Sequence, residues 1–596
     1  MKLEVKNYKA LDAIYMPFKI APFLLTLQVL LVIIQAVLPT ILLAFTTAGF
    51  VDTAIAILNY NQPYEKIYVP LLLLLAVVGA ISIFKNLPGI VSSRLKFSLE
   101  RKLKPAFIHA RAGLSFCHIE DSKCWELVNR VANDPVGAIQ RGAKAYLDFL
   151  RSIVSIVAIL WLVAFNVWWT TLVIIAFSIP LLWLAVRAGK INYQASVATR
   201  KHVRRHEYYH DMLINRDAVE ERTLFNYGEE ITKRFTQQYE IARLSLLKVN
   251  ARQWLVVKGA SIATSLVAIL ISITLINPVI TGTMSPGMFM GIVITVFNMV
   301  NILGWTLQDA TENISSINGY MNDLSAFASL SKTEGAHDLP SCDNVEFNSL
   351  EFSNVRFRYP TGEHYVLDNL SFKIKKGQHY AFVGLNGAGK TTIIKLLTGL
   401  YPDYEGQIFI NSKELREYPL QTLKTLFSVV YQDFARYQIH LGDNIALGNC
   451  ANENDKDSVY DALRLAGLDD VVSQLSDGIN TPLGKISENG VDISGGQWQK
   501  VAIARSIVSP APIKIFDEPT ASLDPISESL IYNDFEKLMQ GKTTIFISHR
   551  LGSTKLADEI LVIHGGNIIE KGTHSELMEL NGKYCEMFNS QRRWYG

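Results

Sequence analysis

The apolar residues of this 596-residue chain are concentrated in its first half, where they form six long runs. A helix needs about 20 consecutive, mostly apolar residues to span the hydrocarbon core of a bilayer. Inside that core every backbone N–H and C=O must be bonded within the chain, so such runs fold as helices. The predicted membrane spans are residues 20–50, 67–90, 146–165, 168–186, 254–276 and 287–307.

Charges beside these runs predict their orientation. Four lysines lie within the first 19 residues, and basic residues favour the cytosolic side. The run at 20–50 is longer than a signal-peptide core and no small-residue cleavage site follows it, so we expect a retained helix. The links at 94–144 and 187–252 are long and basic, whereas the alternate links are short and carry few charges. Six crossings with helices extended into the cytosol therefore place the second half there.

Each long link contains an amphipathic stretch, at residues 119–131 and 218–227. Their pattern is typical of a short helix with one apolar face. Such a helix either lies on the surface as a solvated element or docks onto the second half of the chain. The sequence leaves both alternatives open.

Polar side chains form a stripe on the last predicted span. At 100° per residue they fall within an arc of roughly 80°. Polar groups are costly against lipid, so this face either bonds to neighbouring helices or lines a cavity for an amphipathic molecule, including a cationic one. Gln28 and Gln35 likewise share a face of the first span. The stripe consists of Asn298, Asn301, Trp305, Gln308 and Glu312.

The second half carries a phosphate-binding motif. Residues 384–391, Gly-Leu-Asn-Gly-Ala-Gly-Lys-Thr, fit G-x-x-x-x-G-K-[ST], with a strand-like run before them and a helical pattern after them. Glycines let backbone N–H groups curl around a phosphate, Lys390 reaches the β- and γ-oxygens, and the Thr391 hydroxyl ligates Mg²⁺. The motif predicts a site for a nucleoside triphosphate.

Two carboxylates that follow an apolar strand complement this motif. Asp517 and Glu518 end the run at 513–518. Phosphoryl transfer needs charge neutralised around the γ-phosphate and a water aligned behind it, so one carboxylate binds the metal and its neighbour activates water. The alternative role for these two carboxylates is to cap the start of a helix. The other ordered features are Gln432, the Ser494-Gly495-Gly496-Gln497 tetrapeptide before a helix at 498–508, Ala521 to Asp524, and His549 after a strand at 543–548.

This ordered set resembles the nucleotide-binding domain of ATP-binding-cassette (ABC) transporters over residues 345–596. The tetrapeptide at 494–497 is the diagnostic signature. The residues at 432–434 and 497–500 are similar to those of bacterial lantibiotic and bacteriocin exporters. Six membrane helices fused to one such domain resemble a type IV exporter half-transporter, a class that includes multidrug exporters.

The resemblance implies a membrane all-α six-helix domain fused to a cytosolic α/β P-loop ATPase domain of ABC type. The membrane domain covers residues 1–328, and its two long cytosolic loops are the links described above. A polar linker follows at 329–344, and the nucleotide-binding domain covers 345–596.

The resemblance also implies a role for each motif residue, with ATP and Mg²⁺ as cofactors. Glu518 is the general base, His549 the γ-phosphate sensor and Gln432 the link between Mg²⁺ and the membrane arms. Tyr359 stacks on adenine. The Mg²⁺ ligands are Thr391, Gln432 and Asp517, and the remaining nucleotide contacts are Gly384, Asn386, Gly387, Gly389, Lys390, Thr392, Ser494, Gly495, Gly496 and Gln497.

Two positions depart from the family pattern. Ile493 stands where leucine is usual, which is an apolar exchange of equal size. Lys514 interrupts the apolar strand before Asp517, and we expect that face of the strand to reach solvent or a carboxylate.

In the family the signature of one subunit closes the ATP site of another, so the resemblance implies a dimer. Intact catalytic positions favour a homodimer over pairing with a related half-transporter. The expected function is ATP-driven efflux of a peptide-like or amphipathic substrate by alternating access, from a bacterial inner membrane in contact with membrane lipid. The alternatives are a lipid or siderophore transporter of the same fold and an ATP-gated regulator or channel. A net charge of +2 gives no electrostatic case for nucleic acid.

Overall fold

The computed structural model describes residues 3–60, 62–215, 218–341, 345–452, 455–519, 541–548 and 552–592. The chain divides into two compact units. The first, here the helical unit, comprises Met1–Arg111 and Glu126–Ser329, and the second, here the ATPase unit, comprises Ala112–Trp125 and Leu330–Gly596. Residues 112–125 overlap the amphipathic stretch at 119–131. Because they are grouped with the ATPase unit, docking of this stretch onto the second half of the chain is favoured over a solvated surface helix.

Helices account for most of the described residues up to Ser329. All six predicted spans fall on them. Among the described residues, Pro22–Asn59, Tyr64–Ala112 and Pro135–Asn166 are long and apolar enough to cross a membrane, and Ala268–Ile280 and Pro286–Asn301 are shorter apolar helices. In chain order the helices are α1 Asp12–Ile20, α2 Pro22–Tyr60, α3 Tyr68–Ala112, α4 Phe116–Glu120, α5 Ser122–Ala132, α6 Pro135–Asn166, α7 Trp168–Ile214, α8 Val219–Phe225, α9 Gly228–Thr274, α10 Ile276–Ile280, α11 Pro286–Asn301 and, after a π-helical turn at Ile302–Thr306, α12 Leu307–Ser329.

Glycines bring α11 directly onto α2. A Cβ atom on Gly287 would lie 2.2 Å from the Ala48 carbonyl oxygen, and one on Gly291 would lie 2.7 Å from that of Ala44. Small residues allow this close approach of helix backbones within a membrane. Asp52 accepts the Gly287 N–H at 2.7 Å, which satisfies one of the donors left free at the start of α11.

A proline explains how α2 is held against α3. Pro88 has no N–H, so the carbonyl of Phe84 one turn earlier lacks its helical partner. The Gln35 side chain of α2 donates to that carbonyl at 2.6 Å and to the Lys85 carbonyl at 3.1 Å. Gln35 therefore forms the interhelical hydrogen bonds that were one alternative for the polar face of the first span.

Two sheets form the frame of the ATPase unit. An antiparallel sheet has the order β2-β1-β4-β5, and a six-stranded sheet has the order β10-β9-β3-β8-β7-β6, parallel except between β10 and β9. The strands are β1 Ser349–Phe357, β2 Leu367–Lys375, β3 His379–Val383, β4 Glu405–Ile410, β5 Lys413–Glu414, β6 Phe427–Val430, β7 Ile513–Asp517, β8 Thr543–Ile547, β9 Glu559–His564 and β10 Asn567–Gly572.

Helices cover the sheets of this unit. They are α13 Lys390–Leu397, α14 Leu420–Leu426, α15 Leu441–Ala446, α16 Lys456–Leu465, α17 Asp469–Gln474, α18 Gly495–Val508 and two carboxy-terminal helices, His574–Glu579 and Lys583–Arg592. The strand β8 pairs with both β3 and β7, and its Ile547 lies opposite Phe382 on one side and Asp517 on the other. Because parallel strands end at the same edge, the loop after β3 and the carboxylates after β7 meet there.

The expectation for Lys514 is wrong. Its side chain is buried, with 4% of its surface exposed, and all five residues of β7 are buried. The ammonium donates to the carbonyls of Ser506 and Ser509 at the carboxyl end of α18. A cation suits that end because its carbonyls have no helical donors and carry the negative pole of the helix. Burial lowers the pKa of Lys514 to about 7, with a smaller contribution from Lys542.

This burial predicts a pH-dependent stability. Between pH 7 and 10 the unfolded chain keeps Lys514 protonated while the folded chain releases the proton, so the unfolding free energy rises with pH by up to about 1.4 kcal/mol per unit. The full chain should therefore melt at higher temperature at pH 9 than at pH 7. The Lys514→Met variant should lose this rise in melting temperature between pH 7 and pH 9. The Lys571→Met variant, which changes an exposed lysine, should keep it. Equal pH slopes in Lys514→Met and the unaltered chain would contradict the assignment.

Candidate nucleotide site

The loop between β3 and α13 has the backbone of a phosphate cradle. Gly387 and Gly389 have φ of 80° and 100°, a region that side chains disfavour. A Cβ atom on Gly384 would lie 2.2 Å from the Ile563 carbonyl oxygen, and one on Gly389 would lie 2.6 Å from Leu367. Glycine is therefore required at both positions, and the amino end of α13 faces the loop with its free N–H groups.

Lys390 lies across this loop. Its side chain is 6% exposed, and its ammonium donates to the carbonyls of Gly384 at 2.9 Å and Leu385 at 3.0 Å. Burial lowers the pKa of Lys390, and the charges of Glu518 and Asp517 act in the opposite direction. The cation is thus held at the mouth of a cradle of N–H groups, a donor set that fits the β- and γ-phosphates of ATP.

A hydroxyl and a carboxylate meet beside the loop. The Thr391 hydroxyl donates to Asp517 at 3.0 Å, and Asp517 is 2% exposed. Hydroxyl and carboxylate oxygens close to phosphates are the usual protein ligands of Mg²⁺. The structure therefore brings together two of the three predicted metal ligands. Gln432, the third, lies on an exposed segment after β6.

Glu518 adopts a backbone conformation that is rare for its residue type. Its φ is 50°, in the left-handed region, where a non-glycine residue is strained by about 1–3 kcal/mol. Its N–H donates to the Ile547 carbonyl at 2.9 Å, and its own carbonyl accepts from Gln499 at 3.3 Å. Burial raises the pKa of Glu518, which Lys390 partly opposes. A carboxylate with a raised pKa is a stronger proton acceptor, as a general base requires.

The signature residues open α18. The Ser494 hydroxyl accepts the Gln497 N–H at 3.2 Å, and the Gln497 side chain accepts the Ser494 N–H at 2.8 Å, which is a capping box. Ser494 and Gly495 are exposed, and Gly496 is half-buried. This helix end is locally rigid and accessible, as a contact surface for a phosphate from another subunit must be.

Tyr359 and Thr392 are in direct contact. Their hydroxyls lie 2.9 Å apart, so the predicted adenine-stacking residue is fixed to α13. The ring of Tyr359 meets the ring of Tyr401 edge-on at 5.4 Å. Asn386 is exposed at the tip of the phosphate loop. His549 and residues 521–524 lie outside the described residues.

A cluster of side chains that no sequence motif indicated joins α4 to this site. Glu120 of α4 accepts hydrogen bonds from the Lys395 ammonium of α13 and from the Tyr401 hydroxyl. Phe116 meets Tyr401 edge-on at 5.7 Å. The available signal was the amphipathic stretch that begins at 119, but no motif marks Lys395 or Tyr401. The contacts connect α4 to Tyr359 through one aromatic ring.

The polar stripe of the last span needs a correction. The predicted stripe requires one α-helical period along the whole span. The π-helical turn at Ile302–Thr306 advances by a smaller angle per residue, so it rotates the residues that follow relative to those before it. Asn298 lines a cavity that Gln35 also lines. Asn301 and Trp305 are exposed, and the remaining two stripe residues, Gln308 and Glu312, are half-buried.

Comparison with known proteins identifies the family of the chain. The ABC transporter family model matches residues 367–521. The subtilin transport ATP-binding protein SpaT of Bacillus subtilis is 35% identical over 332 residues, which cover 55% of this chain and 53% of that protein. The alignment thus spans about half the length of that relative.

A second relative extends the similarity into the helical unit. The ATP-dependent lipid A-core flippase of Legionella pneumophila (strain Lens) is 30% identical over 486 residues, 80% of this chain and 79% of the flippase. A structure described as a bacterial Atm1-family ABC exporter with ATP bound has a TM-score of 0.74 at 23% identity, covering 95% of this chain and 98% of that one. The fold is therefore that of an ABC exporter, helical in its first part and an α/β ATPase in its second. The chain belongs to the ABC transporter family, and the cofactors of its ATPase domain are ATP and Mg²⁺.

The cluster around Glu120 predicts coupled effects on nucleotide binding. Glu120→Ala and Tyr401→Phe should each weaken binding of a fluorescent ATP analogue severalfold, because both loosen the ring that supports Tyr359. The double variant should lose less binding free energy than the two single variants lose in sum, with a coupling energy of about 0.5–1 kcal/mol. Lys123→Ala, at an exposed position beside α4, serves as the control. Additive losses would show that the two residues do not act through one contact.

Proposed function

We propose that this chain is one half of a dimeric, ATP-driven exporter that moves an amphipathic or peptide-like substrate out of the cytosol by alternating access. The main supporting observation is the meeting of the glycine loop, Lys390, the Thr391–Asp517 pair and Glu518 at one sheet edge. The helices α2, α3, α6, α7, α9 and α11 on the same chain would supply the membrane part.

Each site residue has a task in this proposal. Bound ATP supplies the phosphoryl group whose transfer to water releases the driving free energy. The loop N–H groups and Lys390 hold the phosphates, and Thr391, Asp517 and Gln432 hold Mg²⁺. Glu518 orients the attacking water and takes its proton at a carboxylate oxygen. His549 contacts the γ-phosphate, and Tyr359 stacks on the adenine.

The dimer is proposed from the position of the signature. Ser494 to Gln497 cap an exposed helix end, and the chain carries one signature and one phosphate loop. Two copies, each presenting its signature to the loop of the other, complete two equal sites. The motif residues needed for hydrolysis all occur in this sequence, which supports a homodimer over pairing with a related half-transporter.

The names of the relatives bear on the substrate. One is a subtilin transport protein and another a lipid A-core flippase. The lipid flippase aligns over 80% of this chain, which includes much of the helical unit, so transport of a lipid is the second candidate function. We place the protein in a bacterial inner membrane with its amino terminus and ATPase unit in the cytosol, because the basic links predict that orientation.

The Glu518→Gln variant tests this function. It removes the proton acceptor but keeps the shape of the side chain, so ATP hydrolysis should fall by roughly 10²–10⁴ while ATP binding persists. In inverted membrane vesicles, ATP-dependent uptake of a labelled amphiphile should fall in parallel. Glu579→Gln, at an exposed glutamate, should leave both activities intact. Near-normal ATP hydrolysis by Glu518→Gln would contradict the assignment of Glu518 as the general base. ATP hydrolysis without substrate uptake by the unaltered chain would favour an ATP-gated regulator or channel.

A further inference from the structure

A cavity of about 320 Å³ lies within the helical unit. Helices α2, α3, α6 and α11 and the π-helical turn form its walls. Gln35, Ser152, Asn298 and Thr306 supply amide and hydroxyl groups, and Leu38, Phe84 and Ile302 supply apolar surface. The lining therefore combines hydrogen-bonding groups with an apolar wall, as in a site for a molecule with a polar and an apolar part.

Both charged residues among the described lining of this cavity are cations. Lys85 and Arg151 line it, and no acidic residue is among its described lining residues. Asp148 lies 3.5 Å from Arg151 on the same helix, outside the lining. A guanidinium has five N–H donors, so this single contact leaves donors for a second anion.

Both cations lie at the same depth in the predicted bilayer. Lys85 is five residues from the cytosolic end of the span at 67–90, and Arg151 is five residues from the cytosolic end of the span at 146–165. At 1.5 Å per helical residue, each lies about 8 Å inside its span. A charge at that depth is costly unless it faces a cavity or a partner, and the cavity brings these two together from separate helices.

Hydrogen bonds connect the α3 side of the cavity to α2. Gln35 donates to the Phe84 carbonyl, which Pro88 leaves without a helical partner, and to the Lys85 carbonyl, so side-chain hydrogen bonds join α2 to the α3 backbone that carries Lys85. On α6, Ser152 and Ser155 are buried beside Arg151.

We infer that this cavity binds the anionic group, a phosphate or a carboxylate, of an amphipathic molecule that enters from the cytosolic leaflet. The inference rests on the proposed exporter function and narrows its substrate to anionic amphiphiles. This anionic molecule differs from the cationic one that the polar stripe allowed. Lys85 and Arg151 lie on other helices and come close to the stripe residue Asn298 only in the folded bundle. The apolar wall holds the chain of the amphiphile while the cations hold its charge.

Equilibrium binding without nucleotide tests the inference. The full chain in phosphatidylcholine nanodiscs is titrated with fluorescent lysophosphatidic acid and with lysophosphatidylcholine carrying the same acyl chain and label. The anionic probe should bind about tenfold or more tightly. Equal affinity, or preference for the zwitterionic probe, would overturn the inference. Inorganic phosphate at the same concentration should not displace the probe, and displacement would assign the site to a free anion instead.

Charge-removing variants locate the site. Lys85→Gln and Arg151→Gln should each weaken lysophosphatidic acid binding about tenfold and leave lysophosphatidylcholine binding unchanged, because only the anionic probe uses the cations. Lys85→Arg should retain binding, and Lys102→Gln, exposed on the same helix outside the cavity, should match the unaltered chain. An unchanged preference in Lys85→Gln would mean that this lysine reaches the membrane surface and does not face the ligand, and would overturn the inference.

Separate measurements of binding and of transport distinguish the anion-binding cavity from the exporter function. Unchanged binding of lysophosphatidylcholine by Lys85→Gln and Arg151→Gln shows that the variants are folded. Charge-selective binding without ATP-dependent uptake by the unaltered chain would reject the exporter but keep the site. Uptake that does not depend on Lys85 or Arg151 would keep the exporter and reject the site.

Discussion

The contact between Lys390 and the phosphate loop is the interaction on which the site depends. A buried ammonium is stable here because two loop carbonyls accept its hydrogen bonds and two carboxylates lie near enough to raise its pKa against the effect of burial. This arrangement requires β3 and β7 to end at one edge, and both pair with β8 to do so. The buried strands β3, β7 and β8 therefore set the geometry of the charged groups.

The parts of the site that were predictable from sequence are those in which neighbouring residues act together. The glycine loop, the Asp517–Glu518 pair and the Ser494 capping box are contiguous motifs, so spacing alone indicated their place on a strand end or a helix start. Lys514 was misjudged because its environment is set by the end of α18, which β7 meets only in the folded unit. Glu120 was missed because its partner Lys395 is 275 residues away.

The helical unit shows the same division. Run length predicted six spans, and each of them overlaps one or more helices, because hydrophobic length is a local property. The polar stripe was less well predicted, since a π-helical turn changes the helical period within it. Asn298 does line a cavity, but the cations that give this cavity its charge come from α3 and α6. Pairing of side chains from separate helices is a tertiary property, and no window along the chain contains it.

The central claim is that two copies of this chain share each ATP site, and mixed dimers test it most directly. Ser494→Arg disables the signature and Lys390→Ala disables the phosphate loop, so each variant alone should be inactive. When both are co-expressed and the mixed dimer is isolated by two different tags, one of its two sites has an intact loop and an intact signature. The account predicts that ATP hydrolysis returns to about half of the normal rate per dimer if the two sites act independently, and to a measurable fraction if they are coupled. A mixed dimer as inactive as both parents would contradict the shared site.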